Sequence, residues 1–403
     1  MQAPAAWQPW RLGAFFAAYY AAGGVLAPYF PLYLETRGLT AAEIGVVMAL
    51  AQGLRVVGPT AWGWLADHTS HRVAILRLTA LAACLGFLPI LLPGGFGLVL
   101  LVMVVFHLFL TGQVPLAEAI AAMHLRGDPH AAARYGRLRA SGSIGFIAVV
   151  LSTGALLDQT GLAPMPYLAL GLLAVTFASA CLVRDAPTSE AAHERVSVRA
   201  RLREPRVRWF LVSVLLMIFA HSALYTYLSI YLARLGYSKT EIGVLWVLGV
   251  VIEIGLFYSQ GRLFKRFELL RLVEVSLLVA VIRFFLIAEL AQVAAVLVVA
   301  QLLHAVTFAV HHSASVLTIQ RWFPGRAAAR GQAIYTSVGY GVGGTLGSLV
   351  AAWLWTEVSP SAAFLSSSAA ALLGWCAVRR ARKLDPTANA AAQARPQKQR
   401  STG

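Results

Sequence analysis

Glu43-Ile44-Gly45-Val46 recurs in the chain as Glu241-Ile242-Gly243-Val244, 198 positions later, and both copies stand at the head of a long apolar run. The agreement continues without a gap as far as Gly63 and Gly261. A stretch that repeats in register over this distance indicates that the chain consists of two equivalent halves. Duplicated halves that cross a bilayer in the same direction are typical of secondary transporters.

The composition identifies the class of protein. The chain has 403 residues, of which 59% are hydrophobic and only 12% charged, with a mean hydropathy of +0.70. A soluble protein of this length has more charge on its surface. Apolar runs of about 20 residues span a bilayer core, and in lipid each run is expected to be a helix because the backbone must satisfy its own hydrogen bonds. The sequence contains twelve such runs, at about 10–34, 43–66, 73–92, 96–124, 138–157, 165–183, 208–232, 241–264, 269–289, 292–320, 331–355 and 361–379.

These runs predict an all-α membrane protein with twelve transmembrane helices in two six-helix halves that form a parallel repeat. We expect the N-terminal half at 1–184, a cytoplasmic linker at 185–207 and the C-terminal half at 208–382. The linker is rich in arginine and separates the two sets of six runs. The last segment, 383–403, is rich in Ala, Gln, Pro and Arg, which is typical of a disordered cytoplasmic tail.

The net charge of +16 indicates topology rather than nucleic-acid binding. Of the 33 Lys and Arg, Arg37, Arg234 and Lys239 lie in loops after odd-numbered runs, and Arg55 and Arg283 lie inside runs. The others lie on the opposite side, with both termini. Because cytoplasmic loops are enriched in Lys and Arg, we expect a multi-pass protein of a bacterial-type inner membrane with both termini in the cytoplasm. We expect a monomer whose partners are lipid, protons and a small-molecule substrate, with no nucleic acid.

The chain lacks the sequence features of an enzyme or a metalloprotein. Cys84, Cys181 and Cys376 are far apart and have no disulfide or metal-site spacing. Neither a Gly-x-Ser-x-Gly motif nor a Walker loop is present. We therefore expect no enzymatic activity, no cofactor and no metal.

Five charged residues lie within or near the ends of apolar runs: Arg55, Glu118, Arg139, Glu253 and Arg283. A charge at the centre of a bilayer costs at least ~2.5–3.5 kcal/mol on insertion scales. One interpretation is a set of internal ion pairs that hold helices together. The other is a cavity in which an arginine binds an anion with its planar fork and a half-buried carboxyl takes up a proton. Arg55 and Glu253 occupy equivalent positions of the repeat, and Arg139 is expected at the start of helix five.

Polar and aromatic side chains recur at helical spacing and indicate a lined cavity. The stripes are His107, Thr111, Val114 and Glu118 on run four, His221 and Tyr225 on run seven, Trp246, Gly249, Glu253, Phe257 and Gln260 on run eight, and His304, Phe308, His311 and Ser315 on run ten. Adjacent residues cannot share a helix face, so at most one of His311 and His312 is expected to line the pathway. The simpler interpretation of each histidine and aromatic residue is packing within the bundle.

The segment 63–72 resembles the signature loop of the major facilitator superfamily. Gly63, Asp67 and Arg72 match that pattern, whereas His68 stands where the family has Arg or Lys and Ser70 where it has Gly. The resemblance implies that the loop between helices two and three latches a cytoplasmic gate. Gly63, Asp67 and Arg72 are therefore the candidate gate residues.

Within that superfamily the chain resembles the phenylpropionate permease group. The matching stretches are PYFPLYL at 28–34, YGRLR at 135–139, GSIGF at 142–146, SIYL at 229–232, GVVIEI at 249–254 and QLLHAVTF at 301–308. This resemblance implies a 3-phenylpropionate/proton symporter-like protein. Such a protein imports a small aromatic carboxylic acid with a proton by alternating access.

A more distant resemblance is to the lactose permease type of sugar/proton symporter. Glu118 and Arg139 are similar to its glutamate–arginine pair on helices four and five. Glu253, Arg283 and His304 fall near its helix-eight glutamate, helix-nine arginine and helix-ten histidine. This resemblance therefore implies candidate site residues on the second half as well as on the first.

Thr307 is a departure from that family, which has a proton-carrying carboxylate at this position, so proton coupling here must use another group. The residues and the resemblance together give two candidate sets. The substrate-binding set is Glu118, Arg139, Arg55, Tyr225 and Phe308, and the proton-coupling set is Glu253, His304 and Arg283.

Three alternatives remain. A glutamate–arginine pair also binds hydroxyls, which favours a proton symporter of a neutral sugar or nucleoside. A proton-driven efflux antiporter is expected to have an acid deep in the first run, yet no acid precedes Glu35. A membrane sensor or scaffold without transport activity is the third alternative, and the polar stripes argue against it.

Overall fold

The computed structural model describes residues 9–69, 71–126, 128–185 and 198–386, with only the backbone at 67, 132, 257–261, 326 and 329. The described residues form twelve long helices, α1 to α12, and no strand. The prediction of an all-α protein with twelve helices is confirmed. Residues 186–197 of the predicted linker and 387–403 of the predicted tail lie outside the described residues.

The first half contains α1 Pro9–Thr36, α2 Ala41–Thr69, α3 Arg72–Phe87, α4 Phe96–His124, α5 Ala131–Thr160 and α6 Met165–Leu182. The second half contains α7 Pro205–Arg234, α8 Lys239–Arg266, α9 Leu269–Leu290, the composite helices α10 and α11, and α12 Pro360–Lys383. A short helix, Arg199–Arg203, precedes α7, and a 3-10 turn, Leu88–Leu91, extends α3.

Helices α10 and α11 each contain a π-helical segment. In α10 the α-helical parts Ala294–Leu302 and His311–Trp322 flank the π-helical Val306–Val310. In α11 the parts Ala328–Thr336 and Gly344–Glu357 flank the π-helical Ser337–Gly343. A π-helix has a wider turn than an α-helix, so each segment changes which side chains share a face.

Eight of these helices, α2 to α7, α10 and α12, are long and apolar enough to cross a membrane. Among the others, α8 contains Glu253 and α9 contains Arg283. One predicted boundary is wrong: α5 begins at Ala131 rather than near 138, because the alanines at its start favour a helix. Arg139 therefore lies about two turns inside α5 and not at its start.

The repeated glutamate forms a capping box at the start of α2 and α8. Ser238 accepts a hydrogen bond from the backbone N–H of Glu241, and the Glu241 side chain accepts from the Ser238 backbone. In the first copy, the Glu43 carboxylate accepts from the Thr40 backbone N–H at 2.8 Å. Such a box satisfies backbone N–H groups that a helix start leaves unpaired.

The repeated glycine makes room for a tyrosine of the opposite half. A Cβ atom on Gly45 would lie 2.6 Å from the hydroxyl of Tyr227, and a Cβ atom on Gly243 would also collide with the hydroxyl of Tyr29. Tyr29 and Tyr227 are themselves 198 positions apart. The repeated segment, which shows the duplication in the sequence, therefore also forms a packing contact between the two halves.

The hydroxyls of the same two tyrosines reach backbone carbonyls across the boundary between the halves. Tyr227 donates to the carbonyl of Ala41 at 2.6 Å, and the hydroxyl of Tyr29 lies 3.3 Å from the carbonyl of Lys239 and 2.9 Å from that of Val150 in its own half. Ala41 and Lys239 are again equivalent positions of the repeat. The contact is therefore two-fold symmetric, with α2 packed against α11 and α5 against α8.

Charged side chains reinforce this end of the molecule, which we call the sealed face. Arg234 forms an ion pair with Glu35 at 2.6 Å. Asp158 accepts hydrogen bonds from the backbone N–H groups of Lys239 at 2.8 Å and Thr240 at 2.9 Å. Glu35 and Asp158 belong to the first half and their partners to the second, so these contacts close the pathway between the halves.

The opposite end of the molecule, where residues 9 and 383 lie, is the terminal face. A Cβ atom added at Gly63 of α2, Gly136 of α5 or Gly255 of α8 would meet no atom within 4 Å. The helices that touch at the sealed face therefore diverge toward the terminal face. The space between the halves opens in that direction.

Candidate functional site

A polar cluster of the first half lines this space. An Nη atom of Arg139 donates to the hydroxyl of Tyr20 at 2.5 Å and lies 3.3 Å from Glu118. The hydroxyl of Tyr135 donates to the same Glu118 oxygen at 3.0 Å. The side chains of Arg139 and Glu118 remain 41% and 38% exposed, so the pair is accessible to a solute.

Two glycines of α5 position Tyr20 in this cluster. A Cβ atom on Gly142 would lie 2.5 Å from the ring of Tyr20, and a Cβ atom on Gly145 would collide with the carbonyl oxygen of Ala17. Small residues let helix backbones approach closely within a bilayer. The close approach of α1 and α5 brings the Tyr20 hydroxyl to Arg139.

Arg283 of α9 lies in a second polar cluster, which is closed to solvent. The side chain is fully buried. Its guanidinium donates to the carbonyl of Ala300 at 2.8 Å, to the amide oxygen of Gln301 at 3.0 Å and to the hydroxyl of Thr307 at 3.1 Å, and lies 3.3 Å from Nε2 of His221. All four acceptors are neutral, and no carboxylate of the described residues pairs with Arg283.

His221 is held as an acceptor for Arg283. Its Nδ1 lies 2.9 Å from the carbonyl of Met217, so this nitrogen carries the proton and donates. Nε2 is then unprotonated and receives the N–H of Arg283. The hydrogen bond from Arg283 thus depends on the lone pair of Nε2.

Glu253 and His304 face each other between α8 and α10. The Nε2 of His304 lies 4.0 Å from a carboxylate oxygen of Glu253, and both side chains are mostly buried. Gly249, one turn before Glu253, leaves room for the imidazole, because a Cβ atom there would lie 3.1 Å from the ring. Thr307 connects this pair to Arg283 by donating to the carbonyl of His304 at 3.2 Å.

Three rings form a stack along α10. His304 and Phe308 are nearly parallel at 12° with centroids 5.2 Å apart, and Phe308 and His312 at 9° with centroids 6.2 Å apart. His311 and Ser315, which were expected on the same stripe, are buried and do not take part in this stack. The π-helical segment has more residues per turn and brings position 312 into line with 308.

Arg55 of α2 also faces the space between the halves. The side chain is exposed, and its Cζ lies 6.0 Å from the ring centroid of Tyr340. Among the described residues it forms no ion pair.

The MFS_1 like family matches residues 9–366 of the chain. The chain belongs to this family of the major facilitator superfamily. It is 29% identical over 333 residues to a probable 3-phenylpropionic acid transporter of Escherichia coli (strain K12), covering 81% of this chain and 86% of the relative. It is 26% identical to the maltose permease of Geobacillus stearothermophilus, covering 89% of this chain and 91% of the relative.

The fold of this MFS_1-like protein also matches solved structures. A crystallised variant of the nucleoside transporter NupG superposes with a TM-score of 0.80 over 93% of this chain and 99% of that chain, at 14% identity. That identity supports the fold alone. Together these similarities establish a multi-pass membrane protein that acts as a secondary transporter of a small molecule, and not as an enzyme.

The predicted gate of this MFS_1-like transporter lies at the terminal face. Gly63 and Asp67 are in the last turns of α2, and Arg72 is the first residue of α3. The side chain of Asp67 lies outside the described part of the chain, as do those of Phe257 and Gln260 on α8. The latch function of these residues stays a prediction.

Several residues of the site were not among the candidate site residues of the sequence analysis, although His312 was considered there beside His311. Tyr20, Tyr135, His312, Tyr335 and Tyr340 all contact cavity residues. Tyr135 stands in the YGRLR stretch, beside Arg139, and this proximity was its only sequence signal. The others depend on how α1, α10 and α11 pack, which no local pattern specifies.

Proposed function

We propose that this protein is a proton-coupled symporter that imports a small aromatic carboxylic acid by alternating access. The observation that supports it most directly is the charge of the cavity. Arg55 and Arg139 both face it, and among the described residues Glu118 is the one carboxylate that forms an ion pair with either guanidinium. With Glu253 neutral, the cavity has one positive charge in excess, which suits a carboxylate.

Charge balance explains why a proton would accompany the acid. If Glu253 is ionised, the two arginines and the two glutamates cancel. Binding one anion and one proton keeps the loaded cavity neutral. Moving an uncompensated charge through a membrane potential of ~100 mV costs about 2.3 kcal/mol, so neutral loading removes that cost.

The aromatic preference follows from the walls of the cavity. The stack of His304, Phe308 and His312 offers ring edges and faces. Tyr225 packs against Trp246 with ring centroids 5.9 Å apart on the neighbouring helices. Aromatic rings attract one another beyond simple area burial by about 0.5–1.5 kcal/mol per pair. The name of the E. coli relative points to the same substrate class.

The proposed roles separate by location. Arg139 and Arg55 bind the carboxylate, Glu118 orients Arg139, and Tyr225 and Phe308 contact the ring. Glu253 takes up the proton beside His304. Arg283 hydrogen-bonds to His221 and fixes the position of Thr307 behind that pair.

The proposed orientation places both termini in the cytoplasm of a cell with a bacterial-type inner membrane. The concentration of Lys and Arg on the terminal face supports it. The cavity then opens to the cytoplasm, and the sealed face lies outside. We propose a monomer, because one chain supplies both halves of the pathway.

Uptake into proteoliposomes tests the proposal. Labelled 3-phenylpropionate should accumulate when the outside is more acidic than the lumen, and a protonophore should abolish the accumulation. Glu253→Gln should lose gradient-driven accumulation while it retains exchange of labelled for unlabelled acid. Uptake that is indifferent to the gradient would exclude coupling.

A second candidate is a symporter of a neutral sugar or nucleoside. The contact between Glu118 and Arg139 favours it, because such a pair offers donors and acceptors to hydroxyl groups. The maltose permease relative supports a sugar. Competition separates the two candidates: unlabelled aryl acids should block uptake of 3-phenylpropionate, whereas maltose and nucleosides in millimolar excess should not.

A further inference from the structure

His312 is the cavity histidine with a fixed set of partners. One face of its ring stacks on Phe308. Its Nδ1 lies 3.0 Å from the hydroxyl of Tyr335 and 3.3 Å from the hydroxyl of Tyr340. Neither tyrosine belongs to α10, so the imidazole is oriented from a second helix, α11.

The π-helical segment of α11 makes this arrangement possible. Residues five apart on an α-helix point about 140° away from each other. Tyr335 and Tyr340 nevertheless reach the same nitrogen, because the wider turn that begins at Ser337 brings them to one side. One π-helical segment on α10 and another on α11 thus together determine the surroundings of His312.

The two hydroxyls decide which nitrogen of His312 is protonated. Tyr335 is fully buried, and its hydroxyl must donate to a neighbouring acceptor. The lone pair of an imidazole nitrogen is the strongest acceptor in this group, and the single lone pair of Nδ1 accepts from one of the two hydroxyls, which lie 3.0 Å (Tyr335) and 3.3 Å (Tyr340) away. We assign the ring proton to Nε2, which has no hydrogen-bond partner among the described residues.

The Nε2–H group of His312 faces the cavity. His312 is half-buried, and its partner Tyr340 lies under the guanidinium of Arg55 from the opposite half, whose Cζ is 6.0 Å from the ring centroid. A donor from the second half and a guanidinium from the first half therefore face the same region.

We infer that His312 determines substrate specificity by donating from Nε2 to the carboxylate that Arg55 and Arg139 also bind. The carboxylate has two oxygens and can accept from both halves at once. A ligand held in this way would favour the conformation in which the halves approach each other around it. This inference rests on the proposed function, since it assumes that the substrate is an acid.

The test compares two substitutions that differ in which nitrogen they replace. In His312→Asn the amide can reach the tyrosines at the position of Nδ1 but leaves no donor at Nε2. In His312→Gln the longer side chain places an amide N–H near the position of Nε2. The ligands are 3-phenylpropionate and the neutral 3-phenylpropanol, with dissociation constants measured by calorimetry on the purified full chain.

We expect H312N to bind 3-phenylpropionate about ten- to a hundredfold more weakly, which is the loss expected for one hydrogen bond to a charged group. Binding of 3-phenylpropanol should stay within about twofold, and H312Q should bind the acid within about threefold of the parent. If H312N does not fold, H312F, which keeps the stack on Phe308, replaces it in the comparison.

Other outcomes overturn the inference in distinguishable ways. Unchanged affinity of H312N for the acid would show that Nε2 makes no contact with it. Equal losses for the acid and the alcohol would assign His312 to packing alone. Failure of the unaltered protein to bind any aryl acid would remove the proposed function, and the role of His312 with it.

Discussion

The two halves of the molecule each hold an arginine within the bundle, and they neutralise it differently. Arg139 contacts the carboxylate of Glu118 and the hydroxyl of Tyr20, and its side chain is 41% exposed. Arg283 is fully buried and has neutral acceptors only, among them Gln301 and Thr307. One cluster is accessible and contains an acid, and the other is closed and contains none.

The difference separates groups that can exchange partners from groups that cannot. An accessible guanidinium can release one acceptor and take another from a solute, with water satisfying the remainder. A buried guanidinium that lost a partner would leave an unsatisfied polar group, at a cost of about 1–3 kcal/mol or more. We therefore assign substrate binding to the first cluster and structural integrity to the second.

The largest predicted effect is on Arg139. Arg139→Ala removes the guanidinium from the cavity and should reduce uptake of 3-phenylpropionate at least about a hundredfold, since charge-assisted hydrogen bonds are the strong ones. Arg139→Lys keeps the charge but not the two-pronged geometry and should retain a small fraction of the uptake. Uptake by proteoliposomes at matched protein content measures both.

Arg137→Ala is the control for this prediction, because Arg137 is an exposed residue of the same helix. It should leave uptake unchanged within about twofold. Normal uptake by Arg139→Ala, or equal losses in the two variants, would contradict the assignment of substrate binding to the accessible cluster.

The next effect is on stability and concerns Arg283. Arg283→Met is close in length but leaves the acceptors of Gln301, Thr307 and His221 unpaired in a closed site. We expect a loss of about 3 kcal/mol in the free energy of unfolding, measured by denaturation in detergent. Arg271→Met, at an exposed position of the same helix, should change it by less than about 0.5 kcal/mol. A stable Arg283→Met variant that no longer transports would place Arg283 in the pathway instead.

The helices were predictable because bilayer thickness sets the length of the apolar runs. The start of α5 was misplaced, since Ala131 and its neighbours extend the helix beyond the apolar region. The duplicated segment indicated two halves, and the structure adds the reason for its residues. Glu43 and Glu241 cap helices, and Gly45 and Gly243 admit tyrosines from the opposite half.

The candidate site was predictable only where helix periodicity is regular. The resemblance to the lactose permease type implied the pair of Glu118 with Arg139 and placed Glu253 and His304 in one candidate set, while helical spacing put Glu118, Glu253 and His304 on polar stripes. The position of His312 does not follow from such spacing, because a π-helical segment turns it onto the stack in place of His311. Local sequence does not specify where such a wide turn occurs, since it depends on packing against α11.

The smallest predicted effect concerns one hydrogen-bond partner of Arg283 in the closed cluster, the hydroxyl of Thr307. The Thr307 hydroxyl accepts from Arg283 and donates to the carbonyl of His304. Thr307→Val keeps the shape but removes both bonds and should reduce the free energy of unfolding by about 1.5 kcal/mol, as expected for a bond to a charged group. Uptake should change little, because Thr307 is fully buried.

Thr318→Val is the matched control on the same helix, because the buried Thr318 hydroxyl, among the described residues, bonds only the carbonyl of Ala314. This local bond contributes little, so the change should stay below about 0.5 kcal/mol. Equal losses in the two threonine variants would mean that the hydroxyl beside Arg283 contributes no more than a local backbone bond. The guanidinium would then be held by Gln301 and the Ala300 carbonyl, and Thr307 would be free to vary without consequence for the closed cluster.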